Sequence, residues 1–147
     1  MRVSSALVAV VILALAGCHE VPEDAITKAL SARSVSFRPN LAEPIPLNEQ
    51  RTARIRQIVA KFRDKSKVRM ETDILGLHHG HFLLDGQVFA WQGSILYLAE
   101  GQRRNWVVTD PVLDMMGSAY MKAREGSPYQ LSPDAWERIL SQLEQKH

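Results

Sequence analysis

The chain has 147 residues, 46% of them apolar, with 18 basic and 16 acidic side chains and a formal net charge of +2. That length supports one domain with its own core and not two. A single cysteine excludes an internal disulfide framework, and the near balance of charge gives no reason to expect a nucleic-acid partner.

Met1-Arg2 opens the chain with one positive charge, and 3–16 is uncharged and rich in Val, Ala, Leu and Ile. The run is about 14 residues, too short for a bilayer core that takes roughly 20 helical residues. A charged start, a short apolar middle and small residues at the end form the pattern of a secretory signal. Leu15-Ala16-Gly17-Cys18 resembles the lipobox of bacterial lipoproteins, in which a leucine, two small residues and a cysteine close the signal. The resemblance implies cleavage by signal peptidase II between Gly17 and Cys18, with Cys18 carrying a diacylglyceryl thioether and an N-acyl chain. Several acyl chains, at about 0.8 kcal/mol per buried methylene, make a durable anchor. In the enterobacterial sorting rule an aspartate after the cysteine retains a lipoprotein at the inner membrane. His19 departs from that signal, which implies the periplasmic face of the outer membrane. On this reading 1–17 is a removed signal, and the rest has no thiol left for catalysis or metal.

The stretch 18–46 reads as a tether. It holds Pro22, Pro39, Pro44 and Pro46, which remove backbone donors and restrict the residue before each. A local helix over 24–33 fits within it, with Asp24 as cap and Ile26, Ala29 and Leu30 on one side. As a flexible coil the stretch reaches roughly 30 Å.

The single domain is then expected over 47–147. Asn48 caps a helix over 49–65, where Ile55, Ile58, Val59 and Phe62 share a face. The segment 51–69 is strongly basic, with Asp64 its only acid. Between 68 and 110 the period changes to that of strands. Asp85-Gly86 and Gln92-Gly93 punctuate apolar runs as two-residue hairpin turns, which sets Phe82 opposite Phe89 and Phe89 opposite Leu96. Leu84, Trp91 and Leu98 join them on one face. The other face carries His81, Leu83, Val88, Ala90, Ile95 and Tyr97. Strands over 68–75 and 105–109 complete an antiparallel meander of four to five strands. Asp110-Pro111 caps and opens a helix with Val112, Leu113, Met116 and Tyr120 along a face. Ser132-Pro133 opens the last helix, with Trp136, Ile139, Leu140 and Leu143 inward. The fold class is α+β: a small meander, an N-terminal basic amphipathic helix and two C-terminal helices.

Three groups could carry function. His78, His79 and His81 lie within four residues. On a strand His79 and His81 share a face while His78 points away, so two imidazoles converge on one zinc or copper ion. A third ligand would come from Asp85, Glu100 or His147, and Gly76 and Gly80 would loosen the segment into a loop. Second, Arg54, Arg56, Lys61 and Arg63 flank the apolar stripe of the basic helix, a pattern that suits an anionic envelope surface or an acidic partner, and equally a core helix with a solvated face. Third, Arg103 and Arg104 occupy a hairpin tip beside Trp106, a recognition patch or a plain polar turn before a buried tryptophan. No G-x-S-x-G elbow, P-loop or H-E-x-x-H is present, so nothing selects a reaction and no cofactor is called for outside the zinc or copper alternative. The expectation is a lipid-anchored periplasmic binding or accessory protein that contacts another envelope protein, either in secretion or envelope assembly or as an immunity-type lipoprotein.

Overall fold

The structure, a computed structural model, describes residues 20–74, 76–101, 103–126 and 130–146. Cys18 and the signal-like segment before it lie outside those residues, as does His147. In chain order the elements are α1 (Glu23–Leu30), β1 (Val35–Pro39), β2 (Ile45–Pro46), α2 (Glu49–Ala60) with a 3-10 turn (Lys61–Arg63), β3 (Arg69–Glu71), β4 (Gly80–Leu84), β5 (Gln87–Gln92), β6 (Ile95–Ala99), β7 (Asn105–Thr109), α3 (Pro111–Gly126) and α4 (Pro133–Leu140), with a closing 3-10 turn (Ser141–Glu144).

The strands form one sheet in the order β2-β1-β4-β5-β6-β7-β3, antiparallel throughout. The class is α+β as expected, with seven strands where the sequence suggested four to five. The meander itself is β4 to β7. Asp85 at φ +45 and Gly86 at φ +88 give the first hairpin its two-residue turn, and Phe82 sits opposite Phe89. The second turn falls one residue later than expected. Gly93 at φ +56 leads it, Gln92 pairs with Ile95, and Trp91 rather than Phe89 faces Leu96. The shift displaces the pairing by two residues, so every side chain keeps its face.

One face of the sheet is dry. Phe37, Phe82, Phe89, Trp91, Leu96 and Val108 are fully buried there, in one cluster with Ile26 and Ala29 of α1, Ile55, Ile58 and Val59 of α2, Val112, Leu113 and Met116 of α3, and Trp136, Ile139 and Leu140 of α4. Three helix caps follow the sequence: the Asn48 carboxamide accepts from Arg51 N–H at 2.8 Å, Asp110 from Val112 N–H at 2.9 Å, and Ser132 from Ala135 N–H at 3.2 Å. Asp24 does not cap α1, which begins at Glu23 behind Pro22 and leaves Asp24 within its first turn. The helix begun at Glu49 ends earlier than expected, at Ala60, and tightens into the 3-10 turn that carries Phe62 into the core.

The tether expectation is overturned over most of its length. Residues 23–46 contribute a helix and two strands, and Ile26, Ala29 and Phe37 are fully buried. The reason is geometric. Val35, Phe37 and Pro39 alternate toward the core along β1, which pairs with β4 over five positions. The prolines do not prevent this, because Pro39 ends its strand and Pro46 sits on the edge strand, where a missing donor costs least. Asp85 ties the junction together, its carboxylate accepting from Arg33 N–H at 2.7 Å and Ser34 N–H at 2.8 Å.

With β1 occupying the position beside β4, β3 is displaced to the far edge, against β7. The chain must then travel from Glu71 past β7, β6 and β5 to reach Gly80. Asn105 Nδ2 donates to the carbonyls of Glu71 and Thr72 at the start of this crossing. Farther on, Gly76 lies against Gln92, so close that a Cβ there would come within 2.6 Å of Gln92 Nε2. The crossing delivers the histidines to the start of β4.

Candidate functional site: the histidine end of the sheet

Gly80 decides how the histidines are presented. It is buried, and a Cβ would meet the Phe37 ring at 2.3 Å and the Arg38 carbonyl at 2.8 Å. This glycine is therefore an ordered strand residue under an aromatic ring and not a loosening element. His79 N–H donates to the Trp91 carbonyl at 2.7 Å, which fixes the residue before it.

Held in this way, the three imidazoles separate differently from the expected pairing. His78 and His81 come together, with ring centroids 4.3 Å apart. His79 is the one that turns away: it stacks on Tyr120 of α3 at 4.0 Å and meets Trp91 edge-on at 4.9 Å. Burial, then the Arg124 guanidinium and His78, push the His79 pKa down to about 4, so its ring is neutral at pH 7. Burial, then His78 and Arg38, also lower the pKa of His81. Neither of the two expected third ligands among the described residues, Asp85 and Glu100, reaches the pair. Asp85 is held by backbone amides at the opposite end of β4, Glu100 accepts from Trp106 Nε1 at 2.8 Å, and His147 lies outside the described residues. Among the described residues no group of three His, Cys, Asp or Glu side chains is placed to hold a metal ion.

The cations of the basic helix are engaged with the fold. Arg51 is buried and grips Glu137 of α4 in a bidentate pair, at 2.5 and 3.1 Å, with Glu144 at 3.4 Å. Arg54 donates to the Gln145 carbonyl, Arg56 to the Ala32 carbonyl, and Arg63 to Glu23 and Thr27 of α1. Lys61 pairs with Asp110 at 2.6 Å. The basic pattern of 51–63 thus clamps α2 to α1, to the start of α3 and to the C-terminal turn. At the other hairpin, Trp106 is buried with its indole bonded to Glu100, which removes it from an exposed patch. Arg103 is exposed there and Arg104 half-buried.

What the sequence did not mark lies beside His78 and His81. The turn after β1 carries Leu41, which stands at φ +61 and is fully exposed. An L-residue in this region costs roughly 1–2 kcal/mol, and leucine has no polar group to recover it. Asn40 Nδ2 donates to the His78 carbonyl at 2.5 Å, linking this turn to the histidine segment, where Leu77 is 85% exposed. Around the turn are open hollows of about 650 and 510 Å³ and a small one of about 70 Å³, all lined in part by Pro39, Ala42 and Gln130. Arg38 and His81 border the largest; His79, Tyr120, Arg124 and Trp136 border the smallest. The opposite face of the sheet adds a fourth hollow of about 310 Å³ over Val88, Ala90 and Tyr97, again with His81 at its edge.

This end of the molecule brings together exposed apolar side chains, cations, the neutral His79 imidazole and aromatic walls. Searches for related proteins add nothing to the geometry, since no family model, curated protein or solved structure matches the chain.

Proposed function

We propose that this protein is a non-catalytic binding module of the bacterial envelope, anchored by lipid on Cys18 at the periplasmic face of the outer membrane, and that it docks another envelope protein through the histidine end of its sheet. The observation that carries the reading is Leu41. A leucine in the left-handed region, with its side chain fully in water, sits where solubility and backbone preference both disfavour it. A second exposed leucine, Leu77, precedes His78, whose carbonyl accepts from Asn40 in the same turn. Protein contacts reward such a pair, because exposed apolar side chains rimmed by polar groups bury on docking.

Lipid on Cys18 would have a mechanical consequence. Val21 already packs against the core, and three residues span at most about 10 Å. The domain would ride directly on the membrane, without the long reach that a 28-residue tether implies, and its partner must come to the same surface.

Crosslinking in intact cells, followed by purification of the full lipoprotein, tests this. A stoichiometric envelope protein captured by the wild type and lost in Leu41→Asp/Leu77→Asp supports the reading. Equal capture by both forms, or none by either, contradicts it. Growth with a signal peptidase II inhibitor should retain the uncleaved precursor; normal processing would reject lipidation at Cys18.

The rival reading is zinc or copper binding, favoured by the 4.3 Å approach of His78 and His81. These two would supply imidazole nitrogens, with other positions left to ligands from outside the described residues. Calorimetric titration of the wild type against His78→Ala/His81→Ala decides it: equal zinc and copper affinity would sink the idea, and His79→Ala should have no effect on metal affinity.

A further inference from the structure

The hollows around the β1–β2 turn carry an unbalanced charge. Arg38 lies opposite His81 in the strand register, His81 touches His78, and His79 stacks under Tyr120, whose hydroxyl accepts from Arg124 Nη1 at 3.1 Å. Two guanidiniums therefore border these hollows from different elements, Arg38 on β1 beside the His81–His78 pair and Arg124 on α3 beside Tyr120 and the neutral His79 ring. Among the described residues neither Arg38 nor Arg124 has a carboxylate within ion-pair distance. Glu43 is the acid on the rim of the two larger hollows. On α2 and the turn after it, Arg51, Lys61 and Arg63 each hold a carboxylate of the same chain, while Arg54 and Arg56 donate to backbone carbonyls. A guanidinium with no ion-pair partner on its own chain gains one when an anion arrives.

We infer that the partner presents an acidic, leucine-contacting peptide segment that lies across the β1–β2 turn, its carboxylates against Arg38 and Arg124 and its apolar side chains against Leu41, Leu77 and Trp136. This deepens the proposed docking function and rests on it. The hollows are open and wrap around a turn, which suits an extended chain better than a compact ion. The exposed leucines, Leu41 beside Arg38 and Leu77 on the segment bonded to the same turn, distinguish a peptide from a bare phosphate or an anionic glycan, neither of which has apolar side chains to cover them. A guanidinium also matches a carboxylate in a two-pronged geometry that fixes orientation.

Fluorescence anisotropy tests the inference, using full-length protein in neutral detergent and a fluorescein-labelled, glutamate-rich peptide with interspersed leucines. The wild type should bind it, and a lysine-rich counterpart should not bind. Arg38→Ser/Arg124→Ser should weaken binding by about tenfold or more. Leu41→Asp should weaken it as well, while Arg103→Ser, at the distant hairpin, should leave it unchanged. Salt should weaken binding, since exposed charges are screened over about 8 Å at physiological ionic strength. The inference is overturned by absence of binding, by equal affinity for the lysine-rich peptide, or by an affinity that ignores the arginine changes. Competition by phosphatidylglycerol mixed into the micelles would also overturn it, by assigning the cations to lipid headgroups. Failure of the peptide with continued capture of an envelope protein through Leu41 and Leu77 removes the acidic segment alone; loss of both removes the docking reading with it.

Discussion

Phe37 offers the sharpest test of where the folded unit begins. Its side chain is fully buried, with ring centroids 5.0 Å from Phe82, 5.2 Å from Trp136 and 5.9 Å from Trp91. Gly80 lies against its edge and has no side chain to move into the space left by Phe37→Ala. A cavity that cannot collapse places the cost in the middle of the usual range for Phe→Ala, about 4 kcal/mol. With a urea dependence of about 1.5 kcal/mol per molar, the unfolding midpoint should fall by roughly 2.5 M. Tryptophan fluorescence during urea unfolding measures it directly, because Trp91 and Trp136 both border the cavity. Phe37→Leu should retain most of the lost stability. A midpoint shift below about 0.5 M for Phe37→Ala would refute the reasoning and return 18–46 to the status of a tether.

Gly80→Ala should destabilise by about 1–3 kcal/mol or more, since the new methyl meets both a core ring and a backbone carbonyl; thermal unfolding reads this, and an unchanged midpoint would contradict the packing described. Leu41→Gly should raise stability by about 0.5–1 kcal/mol by relieving the left-handed leucine, and should at the same time abolish partner capture; a variant both more stable and fully binding would show that Leu41 has no docking role. The lowered pKa of His79 makes stability depend on pH in a fixed direction. The folded state holds its ring neutral down to about pH 4, while the unfolded chain protonates near 6.5, so its contribution is complete above pH 6.5 and is lost as pH falls toward 4. The loss is about 3 kcal/mol at most, and urea midpoints of His79→Phe should be less sensitive to pH across that window than those of the wild type.

The elements that the sequence revealed are those whose signals are local. Asn48, Asp110 and Ser132 mark helix starts because capping depends on neighbours along the chain, and Asp85-Gly86 marks a hairpin because its turn needs positive φ at both positions. The inward face of β4 to β6 was legible from alternation alone. The Val35-Ser36-Phe37-Arg38 alternation was equally available. Four prolines in the same stretch concealed it, since their cost depends on position in a sheet that the sequence does not display. The placement of β3 beside β7 was not legible, because it follows from β1 taking the position next to β4. The histidines illustrate the same limit. Strand period separates His78 from His79 and His81, whereas the ring of Phe37 over Gly80 and the stack on Tyr120 set a different pairing. Arg38, Arg124 and Leu41 carry no local signal; only the fold shows which cations of this chain already have a carboxylate.

The most direct test of the docking account is site-specific photo-crosslinking in living cells, with a photoreactive residue placed in turn at Leu41, Leu77 and Lys28, the last exposed on α1. The account predicts one discrete protein adduct from Leu41 and the same adduct from Leu77, with none from Lys28. Adducts of equal strength from all three positions, or adducts to lipid alone, would contradict it.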